Sequence, residues 1–230
     1  MTLLPDWVKN GYLRLIDPVA DWLVERRVHP NTITVFGTVC TVVGGIIYAT
    51  GHIKTGGWFL SITALFDVLD GTVARRSNLS STFGAFLDST LDRLADGFVL
   101  GGLAVFYATS GLHHSVPLMI TALLGLLGAF LTSYTRARAE SLGLDAKVGM
   151  LQRPERVVLM AAPQALFGLF FNGWPLAIII VVLTVTAWIT VIQRVVFVYS
   201  ATTRADAATA RTESEASPGS LPADARRALV

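Results

Sequence analysis

Three stretches of this chain run without a charged side chain for longer than a lipid bilayer is thick. Arg27 and Lys54 are separated by 26 such residues, Asp96 and Arg136 by 39, and Arg156 and Arg194 by 37. A helix of about 20 apolar residues spans the hydrocarbon core. The first gap therefore holds one crossing, and each of the other two holds a pair. Residues 110–114 (SGLHH) and 172–175 (NGWP) supply the turns within the long gaps. A further crossing runs over about 57–74, and its lower end carries Asp67 and Asp70. The expected fold class is an all-α integral membrane protein with six transmembrane helices. Composition agrees: 15% of the 230 residues are charged, against about 25% in soluble domains. A net charge of only +2 argues against a nucleic-acid partner, and the single Cys40 excludes a disulfide framework. The first 30 residues have no continuous apolar core, so no cleaved secretory leader is expected.

The basic residues sort by connection. Lys9, Arg14, Arg26 and Arg27 precede the first span, and Arg75 and Arg76 follow the second. Arg136, Arg138, Lys147, Arg153 and Arg156 lie between the fourth and fifth, and Arg194 and four further arginines end the chain. Positive residues favour the cytoplasmic side, which places both termini there, with the plasma membrane as the host bilayer. Residues 1–30 alternate apolar and polar positions at helical spacing, with Pro18 interrupting the pattern. This reads as a kinked amphipathic juxtamembrane helix lying on the leaflet. Residues 31–200 form the six-span domain. Residues 201–230, rich in Ala, Thr, Ser and Arg without apolar periodicity, read as a disordered cytoplasmic tail.

Five of the 16 acidic residues fall inside two spans: Asp67, Asp70, Asp88, Asp92 and Asp96. Carboxylates in a membrane helix are costly and mark function by default. Asp67 and Asp70 share one helix face at i,i+3, and Asp88 and Asp92 share another at i,i+4. The short link between the spans makes them antiparallel neighbours, so four carboxylates converge at one depth. Four like charges need compensation. An all-oxygen donor set points to a divalent cation such as Mg²⁺, Ca²⁺ or Mn²⁺. Ion pairing with Arg75, Arg76 and Arg93 is the plainer alternative, but two or three cations do not balance four buried anions, and Arg93 should point away from the Asp88/Asp92 face. Asp96 continues that face one turn deeper, behind the expected metal ligands or paired with Arg93. A cation transporter is the reading from another class. It would place such carboxylates near the midplane, whereas these lie at one membrane face.

The pattern Asp67-x₂-Asp70-Gly71-x₂-Ala74-Arg75-x₈-Gly84-x₃-Asp88-x₃-Asp92 resembles the full signature of the CDP-alcohol phosphotransferase family. That resemblance implies transfer of a substituted phosphate from a CDP-linked donor to an alcohol, with release of CMP. It also implies two Mg²⁺ or Mn²⁺ ions per site and a homodimer. Carried over residue by residue, Asp67, Asp70, Asp88 and Asp92 are the metal ligands, and Asp92 is also the catalytic base that takes the acceptor proton. Gly71, Arg75 and Ser81 match positions that contact the CDP moiety. Asn31, Thr32, Ile33 and Thr34 match the start of the first span, which borders the nucleotide.

The signature does not name the acceptor. The segments SYTRARAE (133–140), RPER (153–156) and QR (193–194) end three spans on the aspartate side. They resemble the bacterial phosphatidylinositol phosphate synthase branch of that family. The donor implied is CDP-diacylglycerol and the acceptor inositol 1-phosphate, its phosphate held by Arg136, Arg138, Arg153 and Arg194. Converging guanidinium groups suit a phosphate dianion. Glycerol 3-phosphate, the acceptor of a phosphatidylglycerophosphate synthase, also carries a phosphate and remains the alternative.

Overall fold

Short polar punctuation divides the apolar chain into helices. Pro30 opens one helix from its first turn, where its missing N–H is no loss, and the His29 ring nitrogen accepts from Asn31 N at 3.2 Å. Ser81 caps another by accepting from Gly84 N at 3.0 Å, and Ser115 caps a third through Leu118 N at 3.4 Å. The computed structural model describes the backbone of residues 6–146, 148–149 and 153–216, and side chains over 16–146, 148–149 and 155–204. Among the described residues it is all-helical: α1 (Asp6–Glu25), α2 (Pro30–Ala49), α3 (Ile53–Arg76), α4 (Thr82–Thr109), α5 (Val116–Ser141), α6 (Arg153–Phe167) and α7 (Trp174–Ala216), with one 3-10 turn at Phe170–Gly173.

Among the described residues, four stretches are long and apolar enough to cross a membrane: α2, α3, α5 and Phe170–Arg204. Six were expected. The third and fifth expected crossings correspond to α4 and α6, which fall short for different reasons. At 28 residues α4 has ample length, about 42 Å at 1.5 Å per residue, but Asp88, Asp92, Arg93 and Asp96 lie before or at its midpoint. The 15-residue α6 reaches only about 22 Å, and Pro163 interrupts its hydrogen-bond ladder. One turn before that proline, the Met160 carbonyl accepts from the Tyr48 hydroxyl at 2.8 Å, so α2 braces the break.

Glycine lets the helices touch backbone to backbone. A Cβ on Gly102 of α4 would sit 2.1 Å from the Gly45 carbonyl oxygen of α2, and one on Gly57 of α3 would sit 2.4 Å from Ala165 N of α6. Small residues at such crossings are how membrane helices gain packing without a hydrophobic driving force. Helix α2 packs on α3 and α4, α5 on α4 and α7, and α6 on α3 and α7. The main core gathers Tyr48, Leu103, Leu176 and Ile180, all fully buried.

A second cluster, Ile16, Ala20, Ile33, Leu69 and Val73, seats α1 on α2 and α3. Arg76, at the end of α3, pairs with both Asp17 and Asp21 of α1. Helix α1 therefore exists as expected, and Pro18 lies inside it without ending it. The C-terminal region differs from expectation. Helix α7 continues to Ala216, well past residue 200 where irregular chain was expected. Alanine is the strongest helix former, and an Ala-rich extension of an established helix needs no new nucleus. Residues 217–230 lie outside the described ones.

Candidate active site

Helices α3 and α4 are joined by only five residues, 77–81, but they do not pack on each other as expected: each packs on α2, which brings their aspartate-bearing ends together. Going deeper into the bundle, α3 presents Asp70 and then Asp67, while α4 presents Asp88, then Asp92, then Asp96. Asp70 and Asp92 are buried, each 8% exposed, and Asp70 feels the charges of both Asp88 and Asp67. Helix α2 supplies a donor: Thr34 Oγ1 gives a 2.7 Å hydrogen bond to Asp70 Oδ2. Among the described residues, no three His, Cys, Asp or Glu side chains approach to metal-chelating spacing.

Arg93 does not point away from this face, contrary to expectation. Its guanidinium lies 3.5 Å from Asp92 Oδ2 and 4.0 Å from Asp96 Oδ2. It bridges the two carboxylates along α4, and one cation offsets only part of their charge. The donor set still fits a hard divalent cation: all oxygen, acidic and partly shielded from solvent. Thr34 fixes the Asp70 carboxylate, as an outer-shell partner fixes a metal ligand.

The expected donor side is partly assembled. Gly84, Asn31 and Ser81 meet where α2 and α4 begin, since a Cβ on Gly84 would lie 3.1 Å from both Asn31 Oδ1 and Ser81 Oγ. Arg75 folds back over Gly71, its guanidinium 3.4 Å from where a Cβ would be, and donates to Thr72 Oγ1 at 3.3 Å. Two expected residues contribute differently. The Ile33 side chain is 6% exposed and belongs to the α1–α3 cluster, so it faces packing rather than nucleotide. Thr32 is exposed, and its N–H is held by the His29 carbonyl. Ser81 already serves as the α4 cap.

On the acceptor side, Arg194 is anchored. Its Nε donates to the Val148 carbonyl at 3.0 Å, and its NH1 donates to the Thr132 carbonyl. A guanidinium carries five N–H donors, so most remain for an anion. Arg194 also feels the charges of Arg136 and Arg156. Arg136 pairs with Glu140 at 2.9 Å, and Arg138 turns to Ser141 Oγ at 3.3 Å on an exposed face. The side chain of Arg153 lies outside the described residues. Arg156 is the residue the sequence set lacked. The signal was available: Arg153 and Arg156 are i,i+3 and share one face of α6, with Arg156 a turn deeper.

Below the aspartates, Arg156 and Asp67 also border a cavity of about 80 Å³ in the middle of the bundle, together with Thr38, Thr63 and Asp96.

The sequence profile described as CDP-alcohol phosphatidyltransferase matches residues 27–199. The chain is 38% identical over 187 residues to the phosphatidylinositol phosphate synthase of Mycobacteroides abscessus, covering 81% of this chain and 84% of that one. It is similar in structure to the Mycobacterium tuberculosis phosphatidylinositol phosphate synthase with CDP-DAG bound. The TM-score is 0.73 at 33% identity, over 81% of this chain and 94% of the other. The same enzyme in complex with manganese and citrate matches with TM-score 0.73 at 33% identity, over 80% and 88% of the two chains.

Proposed function

The chain belongs to the CDP-alcohol phosphatidyltransferase family, and from that premise we propose how its residues carry a phosphatidyl group from CDP-diacylglycerol to inositol 1-phosphate. The products are phosphatidylinositol phosphate and CMP. The acceptor reading is carried by one observation: Arg136 of α5 and Arg156 of α6 both come within electrostatic reach of Arg194 of α7. Three cations held close repel one another. A phosphate dianion relieves that repulsion through charge-assisted hydrogen bonds. Arg138, directed at Ser141, stands outside this group. The names of the M. abscessus and M. tuberculosis proteins support the same acceptor.

In the reaction, the acceptor hydroxyl oxygen attacks the phosphorus that bears the diacylglycerol. The bond from that phosphorus to the bridging oxygen breaks, and CMP leaves with the electron pair. Asp92 takes the hydroxyl proton as general base. Arg93, in contact with its carboxylate, holds that group in place. Asn31, Gly84 and Ser81 form the floor where the cytidine end lies, and Arg75 reaches the pyrophosphate beside Gly71. Asp67, Asp70, Asp88 and Asp92 would hold two divalent ions, Mg²⁺ or Mn²⁺, which supply neutralisation of the donor pyrophosphate. The manganese in the M. tuberculosis structure supports a divalent ion.

All six helices α2–α7 cross the bilayer in this reading. The polar first half of α4 is sheltered by its neighbours, and α6 spans with the help of its flanking turns. Both termini and the site face the cytoplasm, α1 lies on that leaflet, and the enzyme resides in the plasma membrane as a homodimer. A donor with two acyl chains then reaches the site without leaving the bilayer.

The test is CMP release from CDP-diacylglycerol by purified protein across inositol 1-phosphate, glycerol 3-phosphate, free inositol and serine. Turnover is expected with inositol 1-phosphate alone and only with Mg²⁺ or Mn²⁺. Preference for glycerol 3-phosphate overturns the acceptor, and full turnover in EDTA overturns the metal reading.

A further inference from the structure

Arg93 lies between two carboxylates of its own helix. Its Nη2 is 3.5 Å from Asp92 Oδ2, and its Nε is 4.0 Å from Asp96 Oδ2. Both are longer than a charge-assisted hydrogen bond, which runs to about 2.7–2.9 Å. The longer gap separates two groups that the fold leaves over. Arg93 Nε and Asp96 Oδ2 are both buried, and among the described residues neither has a hydrogen-bond partner. A buried donor and a buried acceptor are each costly to leave unsatisfied, and here one stands opposite the other. On its outer side Arg93 borders a groove between α2, α4 and α5, and every other residue lining that groove is glycine or apolar. The groove offers the cation no other anion, and attraction between charges is weakly screened in such surroundings. The guanidinium is therefore confined to the line from Asp92 to Asp96. Asp96, pulling from one turn deeper, holds it short of Asp92. With Asp96 neutral, the guanidinium would close on Asp92 and occupy its lone pairs.

We propose that Asp96 is a positioning residue for the transfer: through Arg93 it keeps a steadying cation beside Asp92, yet off the carboxylate oxygens that the acceptor hydroxyl and a divalent ion require. Asp96 touches no substrate in this role and is distinct from the four aspartates of the metal face. The inference rests on the reading of Asp92 as base and ligand.

The experiment compares the full chain as wild type, Asp96→Asn, Arg93→Gln and the double variant, in detergent with CDP-diacylglycerol and inositol 1-phosphate. Asp96→Asn keeps the volume and removes the charge. It is expected to lower kcat about tenfold while either KM moves less than about twofold. Binding of Mn²⁺ to the purified protein, followed by the EPR signal of the free ion, should weaken about tenfold. Arg93→Gln removes the cation that would close on Asp92, so Asp96→Asn should add less than about twofold to either loss in that background. Asp96→Glu, which keeps the charge, should recover much of kcat. Arg93→Lys gives a second route to the same answer, since a compact ammonium cannot serve both carboxylates as the planar fork does, and it should reproduce the loss of kcat. Full additivity in the double variant overturns the proposal, because Asp96 then acts without Arg93. A higher acceptor KM at unchanged kcat overturns it, as does wild-type kcat and Mn²⁺ binding in Asp96→Asn or wild-type kcat in Arg93→Lys. Retained turnover in Asp92→Asn overturns the base assignment itself, and this proposal with it.

Discussion

Thr34 and Asp70, 36 residues apart, are joined by a 2.7 Å hydrogen bond that ties the first turn of α2 to a carboxylate of α3. The same hydroxyl lies 3.2 Å from the Pro30 carbonyl. Its proton can serve only one of the two acceptors, and the shorter contact is to the anion. Thr34 thereby sets which Asp70 lone pairs face the other aspartates. Thr34→Val keeps the shape and removes the donor. Activity at fixed Mn²⁺ should fall about 10–100-fold, as for other outer-shell partners of metal ligands. Added metal should restore part of the loss, and Thr34→Ser should retain most activity. A metal titration of turnover checks both.

Asp92→Asn removes the base while keeping the volume and the position beside Arg93. CMP release should drop by about 10²–10⁴. Binding of CDP-diacylglycerol, followed by calorimetry, should be largely preserved. Retained turnover would assign the proton to another group.

Arg136 and Arg194 share a proposed ligand but not a structural role. Arg136 touches Glu140 on an exposed face, whereas Arg194 also staples α7 to the Val148 and Thr132 carbonyls. Arg136→Ala should raise the acceptor KM by about 10-fold with little change in thermal unfolding. Arg194→Ala should raise KM and also lower the unfolding temperature. Equal loss of stability in both would mean that Arg136 carries packing as well.

Gly57→Ala tests the α3–α6 crossing. The new methyl would meet Ala165 N at 2.4 Å, and the neighbour is backbone, which cannot rotate away. The helices must separate, at a cost of about 1–3 kcal/mol for overpacking. A clear fall in thermal stability in detergent is expected, with Gly111→Ala, where a Cβ meets nothing within 4 Å, as the control.

Arg76→Ala should loosen α1. Its pairs with Asp17 and Asp21 are partly exposed, and each is worth at most about 1 kcal/mol. Protease cleavage in residues 26–29 should increase, and high salt should produce a similar increase in wild type. Reversing the charges on both sides should restore protection.

The helical layout was legible because charge-free length and turn residues report directly on burial in lipid. The turn at 110–114 falls between α4 and α5 as expected, whereas that at 172–175 is half 3-10 helix and half the first residues of α7. Where α7 ends was not legible. Apolar periodicity stops near residue 200, yet an Ala-rich chain continues an existing helix without any apolar face to mark it. Asp67, Asp70, Asp88 and Asp92 were found by spacing on single helices. Contacts that cross helices were harder. Nothing local tells Thr34 from Thr32, yet one reaches Asp70 and the other is exposed. Arg93 and Asp92 are chain neighbours, which helical spacing assigns to different faces, yet a long flexible guanidinium reaches back. Arg156 escaped because its importance depends on α7 bringing Arg194 beside it.

The contact between Gly45 and Gly102 limits how the molecule can breathe. With carbonyl against backbone at that crossing, no side chain lies between the helices to repack, so α2 and α4 act as two stiff rods pinned at one point. Small rotations about the pin are possible, but prising the rods apart is not. A bulky two-tailed lipid cannot enter by wedging between them. Any path for it past α2 and α4 has to run clear of that crossing.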